Sequence, residues 1–368
     1  MADLIAAEAF RQEAVTGKTQ ADQDRAFKRW VMYAESVGLG HDIFLDGLSR
    51  PGRIKLMGGF CVALREGRYS GPAYEVLAET TIRSAVSYVA STFRENDRSN
   101  PTRDEDGELG RLLSRLYRSF KKKDPAEKQQ KALPAIVLLE IAKLQLTERQ
   151  RARSQLSIGG YYFACRSCEY VKVPQAEMRR TAILCLRNLK FRRDGIILRL
   201  TDPRLEYSDS ISITFEMQKK DERNDTVTQW ASGHTIMCPV RAWAAVVKRI
   251  LSYPGADLDT PVSAVWQNNR IEHITSADII DAINCAAETI GWDALGVKKG
   301  DFGTHSIRSG AAMAMYLDEI PIYTIMFIGR WSSDAWLRYI RKQVDQFTYN
   351  IAERMLKHLD FRHLPLVD

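Results

Sequence analysis

Apolar positions recur at helical spacing through the first third of the chain. Phe27, Trp30, Val31 and Ala34 stand three or four residues apart, behind Thr19 as a capping residue. Similar patterns near 52–66, 77–94 and 108–122 predict further helices, with SNPTRDEDGE (99–108) a loop by composition. KKKDPAEKQQKALP (121–134) is polar, charged and holds two prolines, as a linker would be. Beyond Pro134 the pattern becomes mixed. An apolar helix over about 134–146 precedes LKFRRDGIILRL, which reads as a hairpin about Asp194-Gly195. In YSDSISITFEM, Ile211, Ile213, Phe215 and Met217 alternate with Ser212, Thr214 and Glu216, the signature of a half-buried strand. QKKDERND is a polar turn before another short strand, and helices dominate from Cys238 onward. The expected fold is mainly α with a small β component: a helical domain over 1–125, a linker over 126–134 and an α+β domain over 135–368.

Length agrees with two domains, since 368 residues exceed one ordinary core. At 45% hydrophobic and 27% charged the composition is globular. The most apolar stretch, Ala311 to Ile328, is broken by Asp318 and Glu319 and is too short for a membrane span. MADLIAAEAFRQEA has neither the basic nor the apolar region of a signal peptide, so a soluble, intracellular protein is expected. Of six cysteines, Cys165 and Cys168 form a CxxC, but no second pair completes a zinc site, and reduced, mostly buried thiols are expected.

The net charge of +7 is compatible with a polyanionic partner, and its placement says more. From Arg111 to Lys131 eight Lys/Arg face only Asp124 and Glu127. Arg111, Arg115, Arg118 and Lys122 fall on one helical stripe, with Leu112, Leu113, Leu116, Tyr117 and Phe120 on the other side. Such a stripe suits either a phosphate backbone or a solvated surface.

The richest segment for chemistry is GTHSIRSGAAMAMYLDEIPIYTIMFIGRWSSDAWLRYIRK (303–342). His305 and Arg308 lie three apart at a predicted helix start and point the same way. Pro321 opens a second helix that Gly329 ends, and Ser332 or Ser333 caps a third bearing Trp336 and Tyr339. Tyr316 and Tyr323 sit in apolar helical patterns and read as packing.

This order of HxxR, then Trp after Gly-x, then Tyr in the next helix, resembles the C-terminal signature of tyrosine recombinases. GRWSSDAWLRYIR is especially similar to Crypton- and DIRS-type recombinases of eukaryotic mobile elements. Arg308 and Trp331 are 23 positions apart, as that pattern expects. Trp331 and Tyr339 are 8 apart, one shorter than in most bacterial members, which keeps Tyr349 as a reserve nucleophile. Upstream, YYFACRSCEYV resembles the family's first-arginine motif and supplies Arg166 and Glu169, while the strand ending at Gln218-Lys219-Lys220 resembles the hairpin that carries its lysine, Lys219 before Lys220.

The resemblance implies a DNA-breaking and rejoining enzyme that uses neither metal nor cofactor. Arg166 and Arg308 would hold the phosphate oxygens in two planar forks. Trp331 would donate its indole N–H, His305 would take the proton of the Tyr339 phenol, and Lys219 would protonate the leaving 5′-oxygen. Glu169 would orient Arg166 or His305. The implied partner is double-stranded DNA, contacted also by Arg111, Arg115, Arg118 and Lys122, and bound by a homotetramer on two sites. Phe347, Ile351, Met355, Leu356 and Leu359 give the terminal segment an apolar helical face, which family members pass between protomers. A nuclear location follows from the eukaryotic resemblance. The rival readings are a nicking and closing enzyme like the type IB topoisomerases and a catalytically silent DNA-binding protein.

Overall fold

The computed structural model describes residues 15–69, 76–125, 130–174, 181–218, 224–333 and 337. The chain divides into two units, Met1–Glu127 and Lys128–Asp368.

Unit 1 is helical. Helices α1 (Gly17–Ser36), α2 (Arg50–Arg65), α3 (Glu79–Glu95) and α4 (Arg111–Lys123) enclose one core. Thr16, rather than Thr19, caps α1: its hydroxyl accepts from the Thr19 N–H at 3.1 Å. Trp30 is fully buried, edge-on to Phe60 and Phe93, and its indole N–H reaches Ile43 O at 2.8 Å, so its polar edge is satisfied. Helix α3 begins at Ala78, which cannot cap, and the distant Asp124 carboxylate accepts the Glu79 N–H at 2.8 Å instead. Asp124 also pairs with Arg65, and these contacts hold its carboxyl below the usual range. On α4, Leu113, Tyr117 and Phe120 are buried and Arg111, Arg115, Arg118 and Lys122 are exposed. Leu112, expected inside, is 41% exposed because it lies on the flank between the two faces.

Unit 2 is built around α6 (Glu148–Tyr162), which packs against α5 (Ala135–Lys143), α8 (Pro239–Leu251), α9 (Ser276–Ile290) and α10 (Thr304–Leu317). Small residues on α6 permit this crowding. A Cβ on Gly159 would fall 2.7 Å from the buried Trp243 ring of α8, closer than side chains approach. The remaining elements are the single-turn α7 (Ser167–Tyr170), α11 (Ile322–Gly329) and strands β1 (Leu189–Arg193), β2 (Ile196–Leu198), β3 (Ser210–Phe215), β4 (Asp225–Trp230), β5 (Ala264–Gln267) and β6 (Arg270–His273).

The four-stranded sheet is antiparallel in the order β2-β1-β3-β4. The hairpin at Asp194-Gly195 forms with both residues at positive φ, 50° and 77°, as a tight turn of matching twist requires. Strand β3 is not half-buried as its alternation suggests. It is central, with neighbours on both edges, and even Ser212 is only 6% exposed, its hydroxyl paired across the strands with Thr228 at 2.8 Å. The stretch after Cys238 also contains a second hairpin, β5–β6, where Asn268 and Asn269 take positive φ and make the turn that helical periodicity had hidden. Residues 131 and 133, within the stretch read as a linker, are tied into unit 2: Lys131 N donates to Asp301 O and Leu133 N to Ser306 O, both at 2.9 Å. Cys61, Cys165, Cys185 and Cys238 are buried free thiols, whereas Cys285 is exposed. Among the described residues no helix is long and apolar enough to cross a membrane.

Candidate active site

The C-terminal end of α6 organises the site. The last carbonyls of a helix lack intrahelical donors and sit at the negative end of its dipole. Here the chain turns sharply, with Ala164 at φ 43°, and two buried guanidinium groups supply donors. Arg330 Nη1 donates to Phe163 O at 3.1 Å, and Arg308 Nη1 donates to Ala164 O. Arg166 follows at once, as the N-cap of α7.

Glu169, 1% exposed, fixes Arg166 twice. One carboxylate oxygen accepts the Arg166 backbone N–H at 2.7 Å and the other accepts Nη1 at 2.8 Å. Arg166 Nη1 also reaches Gln218 Oε1 at 3.1 Å, and its side chain remains 24% exposed. It is thus anchored by one arm with the rest facing outward. Glu169 also accepts from Arg330 Nη2 at 2.7 Å, so it binds Arg166 and Arg330 together.

Helix α10 brings His305 and Arg308 to the same place. Its approach is close: a Cβ on Gly310 would lie 2.2 Å from Leu133 O, and one on Gly303 would meet the Gln130 side chain at 2.3 Å. Arg308 is 1% exposed. One arm donates to Ala164 O and the other to Gly329 O, and its guanidinium lies 4.3 Å from the centre of the Trp331 ring. Burial, then the charge of Arg166, brings its pKa down to about 9. His305 has its pKa lowered to about 4, by burial first and then by Arg308 and Arg166, so it is neutral near pH 7. Cys165, at the centre of the group, is pushed up to about 12 by burial and is a packing thiol rather than a nucleophile.

Helix α11 delivers Trp331. Arg330 ends it in the left-handed region, φ 53° and ψ 50°, and the Trp331 N–H turns back to Met326 O at 2.9 Å. The indole then lies so close over Gly329 that a Cβ there would fall 1.7 Å from the ring. Tyr323, expected to pack, is 75% exposed on the outer side of α11, whereas Tyr316 lies against the small cluster of Ala312 and Ile325.

Arg166, His305, Arg308, Trp331 and Glu169 therefore converge. Lys219, Lys220, Tyr339, Tyr349 and the terminal segment lie outside the described residues. Arg111, Arg115, Arg118 and Lys122 belong to unit 1 and present an exposed basic face there. Two site residues, Arg330 and Gln218, lie inside the stretches that carry the resemblance but were given no role there. The available signal was a lone charge closing the apolar run IYTIMFIG. Among the described residues no cluster of three or more His, Cys, Asp or Glu is arranged to hold a metal ion.

No protein-family model and no curated protein matches the chain. Solved structures do resemble it. The Tn1549 transposon integrase in complex with transposon right end DNA matches with a TM-score of 0.52 and 13% identity, over 95% of this chain and 98% of that one. The same integrase with circular intermediate DNA gives 0.50 and 12%, over 90% and 99%. The XerH site-specific recombinase bound to palindromic difH substrate gives 0.49 and 13%, over 81% and 72%. The chain, mainly helical with a small sheet, has the fold of tyrosine-recombinase catalytic domains.

Proposed function

We propose that this protein is a tyrosine recombinase that cuts and rejoins double-stranded DNA through a covalent 3′-phosphotyrosine, in site-specific recombination or transposition of a mobile element. The observation that carries this reading is the convergence of Arg166, Arg308, His305 and Trp331 from three separate chain segments at the end of α6. Three guanidinium groups and one carboxylate stand there, a surplus of positive charge suited to a phosphodiester whose charge grows on the way to a pentavalent transition state. The Tyr339 oxygen attacks phosphorus, its proton passing to neutral His305. The bond to the 5′-oxygen breaks, and Lys219 supplies that oxygen with a proton. A 5′-hydroxyl of another strand reverses these steps, so no ATP is consumed. Two protomers on each of two sites, acting in the nucleus, make up the assembly that the motif resemblance supports.

The test is a nicked substrate whose cleaved end escapes, so that covalent protein–DNA adducts accumulate. The parent chain forms adducts with EDTA present, and Tyr339→Phe forms none while binding DNA equally well. Adducts mapped to Tyr349, or loss of activity to chelator with return on adding Mg²⁺, would overturn the assignment.

A further inference from the structure

Beyond adding to the positive charge of the site, Arg330 is given no step in the proposed chemistry, yet it is among the most constrained residues of unit 2. It is 7% exposed, and its guanidinium lies 3.5 Å from the centre of the Phe215 ring. Nη2 donates to Glu169 at 2.7 Å, Nε to Gln218 Oε1 at 3.2 Å, and Nη1 to the carbonyls of Phe163 and Ile328. A non-glycine residue in the left-handed region is strained, and Gly or Asn would be less so at this helix end. The side chain is therefore what the position requires.

Its partners reveal why. Glu169 and Gln218 are the same two groups that hold Arg166. One carboxylate and one amide oxygen thus bridge two guanidinium groups, one buried and one facing outward. Gln218 immediately precedes Lys219, and Arg330 immediately precedes Trp331. Arg330 also keeps the Glu169 charge from neutralising Arg166 alone.

We propose that Arg330 is a positioning residue: through Glu169 and Gln218 it locks the outward fork of Arg166 and the segment after β3 that ends at Gln218, next to Lys219 in the sequence, into one rigid unit. Arg330 is assigned no phosphate contact: its Nε, Nη1 and Nη2 donate to Glu169, Gln218 and the carbonyls of Phe163 and Ile328. The chemical consequence rests on the proposed recombinase reading, whereas the mechanical lock does not.

The experiment separates the two. Full-length Arg330→Lys keeps the charge but cannot hold Glu169, Gln218 and two carbonyls at once. Hydrogen exchange should then rise in peptides covering 166–170 and 214–218, with α5 and α8 unchanged, and exchange equal to that of the parent in both peptides would overturn the lock, whatever the activity. Single-turnover adduct formation should fall by about a hundredfold, as a misplacement near 1 Å does, with DNA affinity unchanged. Adding Glu169→Gln to Arg330→Lys should cost much less than it does in the parent, because both act through one contact. Fully additive losses would count against the proposal. Should Arg330→Lys not fold, Gln218→Met removes the shared amide alone, and unaltered exchange over 166–170 would be equally damaging. A parent chain that forms no adduct while the exchange pattern changes as expected would reject the recombinase reading and leave the lock standing.

Discussion

Among single residues, the two candidate arginines have different jobs despite a shared motif logic. Arg308 is buried, with an arm on each of two main-chain carbonyls and its face under Trp331. Arg166 is anchored through one arm and partly exposed. Arg308→Lys should lower stability by about 2–6 kcal/mol, since two buried acceptors lose donors at about 1–3 kcal/mol each, and should abolish cleavage as well. Arg166→Lys should leave melting nearly unchanged while cleavage falls severely, because a point charge cannot reproduce a fork. Calorimetry beside the adduct assay checks both, and near-normal cleavage by either variant would remove that arginine from the site. His305 supplies a pH test. Its folded pKa, about 4, lies below the unfolded value near 6.5. Between these values the unfolded chain binds a proton that the folded chain does not, so stability is lost as pH falls through that window. The parent should lose melting temperature more steeply from pH 6.5 to 4 than His305→Gln. Parallel curves would show that His305 is not held neutral.

Among the elements, α4 is the clearest amphipath: its apolar side closes the unit 1 core and its basic side remains in solvent. An exposed row of like charges, with no acidic group on the same helix, gains little from the fold and much from a polyanion. Neutralising Arg111, Arg115, Arg118 and Lys122 together should weaken binding to all DNA sequences. For every phosphate that goes unpaired as a result, the slope of log affinity against log salt should shrink by about 0.9. An unchanged slope would return the stripe to a solvated surface. The helices of unit 1 were legible in the sequence because a 3.6-residue apolar period needs only local information. The β5–β6 hairpin was not, since VWQNNRIEH is too short for periodicity to distinguish strand from helix.

For the molecule as a whole, the sequence expectation of an amphipathic terminal helix, with Phe347, Ile351, Met355, Leu356 and Leu359 on one face, implies that this face is buried on its own unit or on a neighbour. We expect deletion of residues 346–368 to preserve DNA binding by monomers and to abolish tetramer assembly and strand exchange, because a head-to-tail exchange of tails closes a ring. Sedimentation of DNA complexes with and without the tail decides the matter; a truncated chain that still forms tetramers and recombines would rule the exchange out.

Residue order was enough to dictate the helical first unit, the Asp194-Gly195 hairpin, the mixed second unit, and the placing of His305 and Arg308 on one face of a helix. Each of these depends on neighbours within a few residues, where dihedral preference and apolar period act directly. Long-range pairing was needed to make β3 central, because that depends on β1 and β4 rather than on β3. The same holds for Arg308 beneath Trp331 and for Glu169 serving two arginines. It holds most of all for Arg330, whose partners Phe163, Glu169 and Gln218 lie more than a hundred positions upstream. A buried charge persists only where several such partners converge, and no local pattern encodes that convergence.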